Sequence, residues 1–126
     1  MRAVDTNLLV RLITRDDRKQ VAAAESFVAK GAWVSTLVVM EATWVLAAVY
    51  ELTPAEIATA IDMLLHHRDV TIEQSDTVAA ALEQYRNRPA LGFSDCIILE
   101  TARKAGHLPL GTSDRNLSKL DGAEGL

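Results

Sequence analysis

Sulfhydryl chemistry is nearly missing: a single cysteine, Cys96, occurs in 126 residues. One thiol excludes an internal disulfide and fits a reducing compartment. Histidine is also scarce, and His66, His67 and His107 make no zinc-binding pattern. No apolar run reaches the roughly twenty residues that a bilayer requires, because Glu41 and Glu51 interrupt the best candidate. A secretory leader is not expected, since Met1-Arg2-Ala3-Val4-Asp5 brings in an acid almost at once. Repeats, low-complexity segments and linkers are missing too. One domain over residues 1–126 is therefore expected, long enough to bury a proper core, in the cytoplasm and away from any membrane.

The most telling absence is of positive charge. No Lys or Arg lies between Lys30 and Arg68. Within that gap, residues 36–50 read Thr-Leu-Val-Val-Met-Glu-Ala-Thr-Trp-Val-Leu-Ala-Ala-Val-Tyr, and Glu41 is the only charge. A helix apolar all round is normally buried, and a lone ionised carboxylate in such a place is costly unless something pairs with it. Glu41 is thus expected to be buried and either neutral, met by a distant cation, or bound to a metal.

What the chain does have is ordinary for a soluble globular protein: 49% apolar and 24% charged residues. Acids outnumber bases, 17 to 13, for a net charge of −4. Four acids acting as metal ligands would leave the remaining charges balanced. Nucleic acid is therefore not excluded as a partner, although nothing in the composition demands it.

Short apolar runs alternate with helical patterns. Strands are expected at 2–4, 32–35, 69–72 and 108–112, and helices at 6–14, 17–30, 36–50, 54–66, 76–88 and 93–105. Thr53-Pro54-Ala55-Glu56 is a capping box with proline at the first helical position. Ser75 or Asp76 can cap the fifth helix, and Gly92 or Ser94 opens the sixth. Gly31 and Gly106 are placed to end helices. This alternation predicts an α/β fold with a mostly parallel sheet and helices on both faces. Residues 124–126 either add an edge strand or fray.

In open parallel sheets, sites form beyond the carboxyl ends of the strands. Asp5 directly follows the first strand, and Asp114 comes two residues after the fourth. Glu41 lies about two turns along the helix leaving the second strand, and helical side chains lean back toward the N-terminus. Asp95 sits in the first turn of a helix that must run antiparallel to the strands. Four carboxylates are thus expected to meet at one edge. Without cations they would repel and raise one another's pKa values. Mg²⁺ or Mn²⁺ suits an all-carboxylate site, and such a site can activate water for in-line attack on a phosphodiester. Asp5 and Asp95 are the candidate direct ligands, and Asp114 a direct or water-mediated one. Glu41 would hold a metal-bound water or help deprotonate it. The opening turn of helix 93–105 also favours anions. Thr6 and Asn7 can cap the first helix and orient Asp5. Thr112 and Ser113 offer hydroxyls beside Asp114. Arg115 is either a contact to a phosphate backbone or a solvated charge.

Asp5-Thr6-Asn7 after a short first strand, the isolated Glu41, Phe93-Ser94-Asp95-Cys96 opening a helix, and Thr112-Ser113-Asp114 together resemble the PIN domain, in order and across essentially the whole chain. The length is similar to that of the VapC-type toxins of toxin–antitoxin pairs. The resemblance implies a three-layer αβα fold with a short, mostly parallel central sheet flanked by helices. It implies a Mg²⁺- or Mn²⁺-dependent endoribonuclease in which Asp5, Glu41, Asp95 and Asp114 are the catalytic, metal-binding acids and Thr6, Asn7, Thr112 and Ser113 the supporting polar groups. It further implies a homodimer, an RNA substrate, a cognate VapB-like antitoxin whose tail enters the groove, and operator DNA reached only through that antitoxin.

Other features have plainer readings. Cys96 is expected to pack as a small core residue, with no histidine near enough to activate it. His66-His67 suits a helix C-terminus. Arg11, Arg15, Arg18 and Lys19 form either an RNA-facing patch or a solvated helix face. Trp44, Leu46 and Val49 are expected in the core, with one side of their helix available to a second subunit or the antitoxin. A haloacid-dehalogenase-type phosphatase would need a second acid two residues after Asp5, where Asn7 stands. A DNA flap nuclease would need additional DNA-gripping elements. A PIN-like binding module without turnover is the remaining alternative.

Overall fold

Strands too short to be stable alone alternate with amphipathic helices throughout the computed structural model, which describes every residue from Met1 to Leu126. The chain forms two compact units, Met1–Ser75 and Asp76–Leu126.

In the first unit the order is β1 (Arg2–Ala3), α1 (Thr6–Thr14), α2 (Arg18–Val28), β2 (Ala32–Val34), α3 (Thr36–Ala48), α4 (Pro54–His66) and β3 (Val70–Ile72). The three strands form one parallel sheet in the order β1-β2-β3, with Ala3 opposite Trp33 and Val34 opposite Ile72. The ladder runs slightly past the strands, where Val4 N–H donates to the Trp33 carbonyl at 3.1 Å and Glu73 N–H to that of Val34 at 2.8 Å. Side-chain caps set the helix starts. Asp17 accepts from Gln20 N–H and Ser35 from Val38 N–H, so α2 and α3 begin one residue after each. This is why the strand and helix expected to include Ser35 and Asp17 stop short of them. The Thr53/Glu56 capping box forms in both directions at α4. Leu9, Val34, Val39, Leu46 and Ile61 are almost fully buried, each contributing about 1.5–3 kcal/mol from water exclusion.

Helix α3 corrects the expectation of a helix buried all round. Val39, Ala42, Thr43 and Leu46 are buried, but Leu37 is 76% exposed, Trp44 67% and Val49 65%. Of the three residues expected in the core, only Leu46 is there. Apolar composition alone could not say which stripe the rest of the fold would cover; α1 and α4 are among the elements packed against α3.

The second unit contains α5 (Ser75–Asn87, beginning at the boundary), α6 (Phe93–Ala105), β4 (Leu110–Thr112), a 3-10 turn (Leu117–Lys119) and β5 (Ala123–Gly125). β4 and β5 pair in parallel, Leu110 opposite Ala123 and Thr112 opposite Gly125. This resolves the undecided C-terminal segment as a strand. It also places β4 in a two-stranded ladder apart from the three-stranded one. β4 starts later than expected because Pro109 has no N–H to give a ladder; Leu110 N–H makes the first bond, to the Gly122 carbonyl at 2.8 Å.

A buried carboxylate, Glu100, stitches this unit. It accepts from Arg103 Nε at 3.2 Å and Gln84 Nε2 at 3.3 Å, while Arg103 Nη2 donates to the Asp121 carbonyl at 2.7 Å. Gly106 ends α6 in the left-handed region at φ 82°, where glycine meets no Cβ clash. Every strand pairing in the molecule is parallel and helices flank the short strands, an α/β arrangement of the expected αβα kind. No helix is long and apolar enough to cross a membrane.

Candidate functional site

Asp5 sits where β1 gives way to α1 and is itself the N-cap: Oδ1 accepts from Leu8 N–H at 3.0 Å. The expectation that Thr6 and Asn7 cap this helix and orient Asp5 is corrected here. Asn7 is exposed and its side chain makes no hydrogen bond, while buried Thr6 turns its hydroxyl to Glu41 Oε1. Glu41 is exposed, not buried, because it belongs to the uncovered stripe of α3. No cationic side chain reaches it, and its Oε2 carries no hydrogen bond.

In the second unit, Asp95 occupies the first turn of α6. The helix is capped by Gly92 without any side-chain bond; the Gly92 carbonyl takes the Asp95 N–H at 3.1 Å, which leaves the Phe93 and Ser94 amides for another acceptor. The Asp95 carboxylate is half-buried and makes no hydrogen bond or ion pair. Cys96 beside it is wholly buried, and its thiol is pushed up to about 11, first by burial and then by the charges of Asp95 and Glu100. Such a thiol is not a nucleophile at neutral pH. At the end of β4, Thr112 Oγ1 accepts from Asp114 N–H at 3.0 Å. Asp114 Oδ1 accepts from Asn116 and Leu117 N–H at 2.8 and 2.9 Å, which turns the chain into the 3-10 segment. Asp114 is exposed with Oδ2 unbonded, and Ser113 and Arg115 are exposed without side-chain partners.

The four acids therefore share a property: each keeps at least one carboxylate oxygen free, and none is neutralised by Lys or Arg. Hard anionic oxygens with no competing cation are the donor chemistry that Mg²⁺ and Mn²⁺ take. Thr6 and Glu41 are brought into contact, whereas no group of three or more His, Cys, Asp or Glu side chains is gathered to hold a metal ion.

Two other sequence candidates are diminished. Arg11 pairs with Asp16 at 2.9 Å and Arg15 with Glu25 at 2.6 Å, leaving only Arg18 and Lys19 of that group unpaired. A hollow of about 480 Å³ in the first unit, lined by Leu12, Ile13, Arg15, Met63 and His67 among others, contains none of the four candidate acids.

One residue was missed by sequence reasoning. Glu73 follows β3, accepts Thr36 N–H on Oε1 at 2.9 Å, and receives the Thr36 hydroxyl on its carbonyl at 3.1 Å. It thereby holds the start of the helix that carries Glu41. The signal was available: like Asp5, it is an acid placed directly after a strand.

The family model for the PIN domain matches residues 2–123. No curated protein matches the chain.

Proposed function

Because this chain belongs to the PIN-domain family, we propose that it is a Mg²⁺- or Mn²⁺-dependent endoribonuclease, the toxin of a VapC-type toxin–antitoxin pair. The observation that carries the reading is the state of four acids at the family's motif positions: Asp5, Glu41, Asp95 and Asp114 all lack a cationic partner and all retain free oxygens.

These four residues would hold the cation, which when bound supplies charge neutralisation at the phosphodiester and acidifies a water. Asp5 Oδ1 and Asp114 Oδ1 are committed to backbone amides, so their Oδ2 atoms are the available donors. Asp95 offers both oxygens. Glu41, tethered through Oε1, keeps Oε2 to accept the proton of the attacking water. The uncapped opening of α6 favours a phosphate through its amides and dipole. Thr112 braces Asp114 through its amide, while the Ser113 hydroxyl and Asn7 amide remain free for substrate.

Partners follow from the same reading. An apolar stripe left exposed on a helix marks a surface for another protein, and Leu37, Trp44 and Ala48 share one face of α3. A second copy of the chain and a VapB-like antitoxin are the proposed partners, with operator DNA bound only through the antitoxin.

The test is incubation of the purified chain with total RNA and Mn²⁺, with and without EDTA. Cleavage should need the ion and stop with the chelator. Asp5→Asn and Asp95→Asn should each lower the rate by about 10²-fold or more, the size expected for removing a group acting directly in the chemistry. Cleavage by Asp5→Asn at the wild-type rate would sink the proposal. The absence of a gathered three-acid group favours one rival, a PIN-like RNA- or protein-binding module without turnover. RNA retained intact by the wild-type chain under saturating Mn²⁺ would establish it.

A further inference from the structure

We propose that the Thr6 hydroxyl is the positioning group for Glu41, holding the carboxylate that the reaction proposed above uses as its proton acceptor; the inference rests on that reading.

Three other helical threonines spend their hydroxyls on their own helix. Thr14 donates to the Val10 carbonyl, Thr43 to Met40 and Thr59 to Ala55. Thr6 does otherwise. It occupies the first position of α1, where no preceding helical turn offers a carbonyl, and its hydroxyl crosses instead to Glu41 on α3. Thr6 is 9% exposed and β-branched, so few rotamers are open to its Oγ1.

Glu41 has the opposite character. It is exposed, long and flexible, and its neighbours one turn away, Leu37 and Val45, are apolar. No Lys or Arg lies between Lys30 and Arg68 to hold it. The Thr6 hydroxyl is its one tether, and a glutamate released from that tether would spread over many rotamers. The tether also divides the labour of the carboxylate: Oε1 is bound and Oε2 is presented.

Thr6→Val keeps the shape and deletes the donor, and Thr6→Ser restores it. In Thr6→Val, kcat for RNA cleavage should fall about tenfold with KM little changed, the scale of one lost hydrogen bond to a charged group. Affinity for Mn²⁺ alone, read by calorimetry, should weaken in the same variant. Thr6→Ser should return both toward wild type. Adding Thr6→Val to Glu41→Gln should cause no further loss, since the two groups act as a unit.

A Thr6→Val chain with wild-type kcat and Mn²⁺ affinity overturns the inference. So does a Thr6→Ser chain as impaired as Thr6→Val, because the hydroxyl would then not be the cause. If Thr6→Val fails to fold, the wild-type chain still decides. Its Thr6 hydroxyl proton should give a slowly exchanging NMR signal that vanishes in Glu41→Ala, and its absence in wild type overturns the tether. A wild-type chain that neither binds Mn²⁺ nor cuts RNA defeats the nuclease reading itself. An active wild type indifferent to Thr6→Val defeats only this inference.

Discussion

Asp95 and Cys96 are adjacent in sequence yet placed in opposite worlds. One helical step carries the side chain from a half-exposed first turn to complete burial. For Cys96 this predicts inertness. At pH 8 it should resist iodoacetamide in the folded chain and react quickly in urea, which a mass-spectrometric time course will show. The direction of its pH linkage is also set. The folded thiol holds its proton up to about 11, against 9.0 ordinarily, so unfolding releases a proton between those values. Stability should therefore be unaffected by this group below the ordinary value and decline as pH climbs toward the folded one. A denaturant midpoint that stays flat through that window in the wild type and in Cys96→Ala alike would contradict it. The site acids show the same dependence on placement. Sequence position marked Asp5, Glu41, Asp95 and Asp114 as candidates, but the fold decides their hydrogen bonds: Asp5 and Asp114 take backbone amides, Glu41 the Thr6 hydroxyl, and Asp95 none.

Among the helices, α3 is where reading by composition fails most clearly. Its apolar residues surround the axis, so no periodicity distinguishes the covered stripe from the uncovered one. The fold makes the distinction, and mutation should reproduce it. Leu46→Ala should cost about 2–5 kcal/mol because it empties a packed site, whereas Trp44→Ser should change monomer stability by only about 0.5 kcal/mol, a contrast readable in urea titrations. Sedimentation of Trp44→Ser then reports whether a protein covers that face. Helix α4 is the opposite case. Thr53, Pro54 and Glu56 announce its start locally, and both arms of the box form. Thr53→Ala should lose about 1 kcal/mol, as capping threonines do. All six helix starts fell within a residue of expectation because caps are local chemistry; at α1 the cap is Asp5 itself rather than Thr6 or Asn7.

For the molecule as a whole, the proposed cation is a stability term. A ligand at one hundred times its dissociation constant stabilises the native state by about 2.7 kcal/mol. Saturating Mn²⁺ should therefore raise the melting temperature of the wild-type chain, and Asp5→Asn or Asp95→Asn should remove most of that rise. A melting curve insensitive to Mn²⁺ in the wild type would tell against the carboxylates as ligands.

Local chemistry was written in the order of residues: turn signals, caps, alternating strand and helix patterns, and the motif positions of four acids spread along the chain. These depend on near neighbours and so survive without coordinates. Tertiary packing alone decided the rest. It separated β4 and β5 into their own ladder, left one stripe of α3 in solvent with Glu41 upon it, buried Glu100 among partners, and sent the Thr6 hydroxyl to Glu41. Such contacts join groups tens of positions apart, and their energies depend on which surfaces close over which, a quantity that no local pattern of side chains contains.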